Sequence, residues 1–273
     1  MTKKEYENLC WGKNPYESAA DNESLIPNGF CTFYHSNIYK NVLIPLKEKV
    51  APQKAIDFQY IQERKDKFGD IPLLCELYGL LDIMEFGYYY EERVIMQFYA
   101  TLYIDDKDPH EKFFYWMTGS REFKGSLSQF AEVLGIDKPK EVHPEFIRLH
   151  DDVPKKPSDL RECYRREPND VVYGNIGNLL PMFDVLQRLF RWTLFPKVGD
   201  SSNIRGYLKN LLLHIAKQDK KPQKIDVMDL LYQEIRMKMV DRRESLMYAP
   251  FIEAFIDKVM KARFNANHRS LFL

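Results

Sequence analysis

The sequence predicts a mainly helical α+β fold, and three observations carry that prediction. Four segments after residue 178 repeat apolar residues at helical spacing: MFDVLQRLFRWTLF, LKNLLLHIA, MDLLYQEIRMKMV and FIEAFIDKVMKARF. A β-rich run, Lys112–Met117, is followed by Thr118-Gly119-Ser120 and then Arg121–Lys124, the pattern of a small hairpin near 112–124. Directly after it, Ser126 and Gln129 have the S-x-x-Q spacing in which side chain and backbone cap one another. SLSQFAEVL is therefore a helix, and Gly135 ends it.

Taken in order, residues 1–24 are polar and aperiodic and read as a mobile tail. An N-terminal α+β lobe spans 25–136. Within it Ala55 to Lys67 reads as a helix with one highly charged side. Pro72 opens LLCELYGLLDIM, where Leu73, Leu77, Leu80, Leu81 and Met84 recur at helical spacing, and Gly87 closes the unit. From Tyr89 to about Tyr103 the residues Tyr90, Val94, Phe98 and Leu102 form an i, i+4 stripe, widened by Ile95 and Tyr99. Glu91 and Glu92 fall in its first turn, where negative charge suits the helix dipole. FYATLYI also alternates, so a strand at the end of this stretch is the alternative.

Residues 137–177 hold Pro139, Pro144, Pro154, Pro157 and Pro168 among many charges. Prolines cannot join a backbone ladder and the charges resist burial, so this is an expected exposed connection between two lobes. The competing expectation is that it wraps one lobe, pinned by Phe146, Ile147, Leu149 and Tyr164. A C-terminal helical lobe then covers 178–264. Its helices start at Pro181, span Tyr207 to Lys217 and Val227 to Val240, and start again at Pro250; Asp226 is the N-cap of the third. Residues 265–273 form a tail. There is no internal repeat.

Composition narrows the function classes. Forty basic residues balance forty acidic ones over 273 residues, whereas a dedicated nucleic-acid binder carries a strongly positive domain. Aromatic residues make up 14%, enough for aromatic packing and also suited to a protein-binding surface. Cys10, Cys31, Cys75 and Cys163 lie far apart with no C-x-x-C pair, and the polar start MTKKEYENLC is no secretory signal. No apolar run has membrane-spanning length. These features predict a soluble intracellular protein with reduced thiols, in the nucleus or cytoplasm.

The one string with catalytic overtones is Tyr103-Ile104-Asp105-Asp106, the Y-x-D-D that holds Mg²⁺ in reverse transcriptases. Here a polar loop, Lys107-Asp108-Pro109-His110-Glu111, comes after it, and mostly helical text precedes it, so it reads as a solvated loop. Asp105, Asp108 and His110, or His143 with His150, Asp151 and Asp152, lack the tight glycine-bearing loop of an oxygen-rich cation site and the paired spacings of a zinc site. No G-x-S-x-G, aspartic-protease triplet or phosphate loop is present, and Gly199-Asp200-Ser201-Ser202 reads as a turn. The expectation is therefore no enzyme, with no catalytic, cofactor or metal site. Arg188, Arg191, Arg236, Lys238, Arg242, Arg243, Lys258, Lys261, Arg263 and Arg269 are the basic candidates, read first as solvated helix faces.

Five segments occur in a telling order: FCTFYHSNIY, DIMEFGYYYEERVIMQFYATLY, FFYWMTGSREFKGSLSQFAEVLGI, LQRLFRWTLFPKVGDSSNIRGYLKNLL and ESLMYAPFIEAFIDKVM. Together, over roughly residues 30 to 262, they resemble a group of uncharacterised grass proteins related to the plant transposon-protein domain. That domain is itself similar to the first open reading frame of Athila-type retrotransposons. The resemblance implies a retroelement-derived plant protein and brings no catalytic residues with it. A zinc knuckle, a protease motif and a polymerase are missing from this chain. The expected function is a non-catalytic protein-interaction or self-assembly module. The alternative is a nucleic-acid-associated accessory protein that uses the basic C-terminal helical surface.

Overall fold

The computed structural model describes residues 30, 33–64, 68–136, 146–150, 157–164, 174–196, 202–204, 206–217, 222–240, 245–263, 268–269 and 271–272. The tail at 1–24 lies outside these residues. So do most of the 137–177 connection, Cys10, Cys31, His143, Asp151, Asp152 and the Gly199-Asp200-Ser201 turn. Among the described residues are ten α-helices and a three-stranded antiparallel sheet, a mainly helical α+β fold.

Helix α1 (Phe33–Ile38) runs on into a π-helical turn at Tyr39–Leu43. A two-residue strand, β1 (Lys54–Ala55), precedes α2 (Phe58–Gln62). Asp57 caps α2, its carboxylate accepting from the Tyr60 amide at 2.9 Å.

The stretch after Pro72 differs from expectation. It forms two helices, α3 (Ile71–Leu77) and α4 (Leu81–Glu85), because Gly79 turns the chain with φ +70°. The break resets the helical phase. Ile71, Cys75 and Tyr78 are buried from α3 and its exit, and Ile83 and Met84 from α4, whereas Leu73 is 52% and Leu77 43% exposed. Both stripes on α3 have helical spacing, so periodicity alone does not choose between them.

Strand β2 (Tyr89–Tyr90) leads into α5 (Glu92–Thr101), and Leu102 turns out of the helix with ψ 127°. The alternation at the end of this stretch becomes β3 (Tyr103–Asp105), so the strand alternative holds there. The hairpin comes next as β4 (Phe113–Thr118) and β5 (Arg121–Ser126), with Gly119 at φ +61° in its turn. Sheet order is β3-β4-β5, with Tyr103 opposite Tyr115, Phe114 opposite Gly125 and Trp116 opposite Phe123. Helix α6 (Leu127–Leu134) begins in the expected capping box: Ser126 Oγ accepts from the Gln129 amide at 3.1 Å, and Gln129 Oε1 accepts from the Ser126 amide at 2.9 Å. Gly135 ends it in the left-handed region.

The C-terminal half brings α7 (Pro181–Thr193), α8 (Tyr207–Lys217), α9 (Val227–Val240) and α10 (Ala249–Met260). Short strands tie distant parts of the chain. β6 (Phe146–Ile147) lies parallel to β7 (Lys224–Ile225). β8 (His268–Arg269) is antiparallel to β2, and β9 (Leu271–Phe272) is parallel to β1.

Helix α10 joins the two halves. It packs on α6, β2, α5 and β5, and its Phe255 ring lies 4.8 Å from Phe130, 5.2 Å from Trp116 and 6.0 Å from Phe114 between centroids. Each such ring pair adds about 0.5–1.5 kcal/mol beyond its buried area. The buried apolar residues form one cluster running from Ile38 to Ile256. Cys75 and Cys163 lie within it as free thiols, and burial pushes each thiol up to about 12.

Candidate functional site

A dense group of titratable side chains gathers where the first turns of α9 meet the loop between β3 and β4. Asp226 sits just before α9, and its Oδ1 accepts from the Asp229 amide at 2.9 Å, the expected N-cap. Its second oxygen lies 3.6 Å from Arg148 Nε. Asp229, one turn on, contacts His150 through its carboxylate. Two turns into the helix the Tyr232 hydroxyl donates to Asp106 Oδ2 at 3.2 Å, while Arg236 stands 3.9 Å from the same oxygen. Lys112 closes the group, its ammonium 3.8 Å above the Tyr232 ring.

Burial sets the electrostatics. Asp226 and Asp229 are buried, and desolvation raises the Asp226 carboxyl foremost, opposed by the Asp229 amide and by Arg148 and Lys112. Lys112 is lowered, again mainly by burial. The Tyr232 phenol is raised by burial and then by the Asp106 charge beside it. Three cations (Lys112, Arg148, Arg236) thus answer three carboxylates (Asp106, Asp226, Asp229). Such a network fixes the β3–β4 loop and the 146–150 segment onto α9. None of its members is a thiol or an aliphatic hydroxyl.

The YIDD string has more hairpin character than its flanking text suggests. Tyr103, Ile104 and Asp105 form β3, and the chain does return as β4. Tyr103 and Ile104 are buried, so the solvated-loop description fits only the residues after β3. The two carboxylates nevertheless face different partners. Asp105 Oδ1 accepts from the Lys107 amide at 3.3 Å, while Asp106 is held by Tyr232 and Arg236. Asp108 Oδ1 accepts from the His110 amide at 2.8 Å, a local turn. Among the described residues no group of three or more His, Cys, Asp or Glu side chains converges as a metal site, and no helix is long and apolar enough to cross a membrane.

The basic candidates are dispersed and mostly engaged. Arg188 forms an i, i+4 pair with Asp184 at 2.9 Å, and Lys258 reaches Glu132 at 3.2 Å. Arg263 lies over the Tyr88 ring at 5.7 Å, and Lys238 is only 5% exposed. Arg242, Arg243 and the side chain of Arg269 lie outside the described residues. The apolar surface is more suggestive. Leu73 and Leu77 stand one turn apart on the outward face of α3, and neighbouring α2 exposes Tyr60 with the Arg64 guanidinium 3.6 Å above its ring.

Pairings such as Lys112 with Tyr232, and Arg148 with Asp226, carry no local sequence signal, because their partners lie far apart in the chain. No protein family, curated protein or solved structure matches the chain.

Proposed function

We propose that the protein is a non-catalytic protein-interaction module, retroelement-derived, that works by self-assembly or by docking a protein partner. The observation that carries this reading is the outward pair Leu73 and Leu77 on α3, two large apolar side chains at 52% and 43% exposure one helical turn apart. Leucines so placed gain most by being covered, since removing apolar area from water contributes about 25 cal/mol per Å². Tyr60 on the adjoining α2 extends the surface, and aromatic residues are enriched where proteins meet. The titratable group around α9 supports the same reading, because its charges are spent on one another.

The alternative, a nucleic-acid-associated accessory protein, draws on the exposed Lys261 and on Arg263 near the end of α10. It is the weaker reading, since Arg188, Arg236 and Lys258 are already opposite carboxylates and Lys238 is buried. Salt separates the two. The purified chain is tested for self-association and for RNA and DNA binding between low and physiological salt. Self-association that hardly responds to salt supports the proposal. Monomeric behaviour, together with nucleic-acid binding that collapses as salt rises, supports the alternative.

A further inference from the structure

Glu253 stands in the middle of α10 at 1% exposure, and among the described residues neither of its carboxyl oxygens has a well-formed hydrogen-bond partner. Asp257 lies one turn further on, its Oδ2 accepting from the Tyr88 hydroxyl at 3.0 Å. Glu91, the residue that opens α5, faces Glu253 from across the packing interface. Glu253 and Asp257 thus lie on the face of α10 that rests on the β2 strand and the start of α5, where the Glu91 charge also acts on Glu253. Helix α6 contributes Glu132 to the same region, already held by Lys258, and β5 meets α10 through the bare backbone of Gly125. Arg263 lies against the Tyr88 ring.

We propose that this junction is a pH-sensitive latch: α10 stays seated on Tyr88–Glu91 while Glu253 carries a proton, and loosens when that proton is lost. A protonated carboxyl is a neutral group that a packed interface tolerates, whereas an ionised one needs hydrogen bonds or a cation to be buried. Burial first, then the charges of Asp257 and Glu91, raise the Glu253 carboxyl to about 8, with only partial relief from the Glu91 backbone amide. The group is thus placed to change state just above neutrality.

The consequence is local. β2 also pairs with β8, so a loosened α10 frees the strand that holds Tyr89 opposite Arg269. A cleft of about 610 Å³ opens on the same junction, with Phe86, Tyr88, Asp257 and Lys261 in its wall. Release of the latch reshapes that cleft.

The test is hydrogen exchange of the full chain at about pH 6 and about pH 9, corrected for the base catalysis of exchange itself. The latch predicts roughly a tenfold or greater loss of protection at high pH in residues 86–91 and 249–260, with the α7 amides unchanged. It also predicts that Glu253→Gln, which cannot ionise, keeps its protection at both pH values. Equal protection at the two pH values, a loss spread evenly over α7 and α10, or the same selective loss in Glu253→Gln would overturn it. Should the variant not fold, a carboxyl NMR titration of the native chain decides. A Glu253 midpoint near 8 that coincides with the loss of α10 protection in the native chain upholds the latch, and a midpoint near 4.5, or protection that does not follow it, removes it.

Discussion

The ring of Phe255 occupies the space in which any side chain at position 125 would stand. A Cβ built on Gly125 lies 2.4 Å from Phe255 Cζ and 2.9 Å from Cε2. That ring is confined, since Phe255 is fully buried and wedged among Phe130, Trp116 and Phe114. This is the point at which the C-terminal helix locks onto the N-terminal sheet.

Gly125→Ala should therefore destabilise the fold by about 1–3 kcal/mol, because one methyl group must displace an aromatic ring that has nowhere to go. Phe255→Ala should cost about 3–5 kcal/mol by opening a cavity. The two should not add: with the ring gone, the methyl at 125 has room, so the double variant should be more stable than the sum predicts. Denaturant unfolding of the four proteins measures this coupling. Strict additivity would mean that the contact is not tight.

Ser126→Ala should cost about 1 kcal/mol, since it leaves the Gln129 amide at the start of α6 without its acceptor. The thermal midpoint is the readout, and Ser126→Thr should recover most of the loss.

Stability should fall as pH rises from the ordinary glutamate range toward 8. The sign comes from Glu253, whose carboxyl is raised from 4.5 to about 8 in the fold. Its contribution is complete below 4.5, is lost as pH climbs through that window, and then levels off. The full effect is at most roughly 5 kcal/mol. Urea titrations across this range should show the slope in the native chain and a much flatter line in Glu253→Gln.

Asp106→Asn should act as a structural substitution. It weakens the tie between the β3–β4 loop and α9 by removing the charge that Tyr232 and Arg236 share. A loss of about 0.5–2 kcal/mol is expected, with no dependence on Mg²⁺ or Mn²⁺. An upward shift of the melting midpoint with either ion, abolished in Asp105→Asn with Asp106→Asn, would contradict this and restore a metal role.

The sequence was legible where its signals are local. Ser126, Gln129 and Gly135 spell out both ends of α6. The spans of α8 and α9 come directly from their apolar spacing and from the Asp226 cap. Where two periods compete the text is ambiguous. Ile71, Cys75 and Tyr78 share helical spacing just as Leu73 and Leu77 do, and only the turn at Gly79 and the packing beyond it choose between them. FYATLYI reads as a helix end or a strand, and the YIDD aspartates as a loop, until β4 is there to pair with Tyr103 to Asp105. Contacts between distant residues leave no local trace at all. Gly125 is an unremarkable strand glycine until Phe255 is folded over it, and Glu253 resembles any helix-surface acid until α5 and β2 cover it.

The outward face of α3, proposed as a protein-contact surface, is open to a decisive measurement. This is sedimentation velocity over a wide concentration range, on the native chain and on Leu73→Asp with Leu77→Asp. Both positions are exposed, so the substitutions should leave the circular dichroism and the melting midpoint close to native. The expected result is self-association of the native chain that persists at physiological salt and is lost in the double variant. A native chain that stays monomeric at about 100 μM, or one whose association survives both aspartates, would contradict self-assembly through this face.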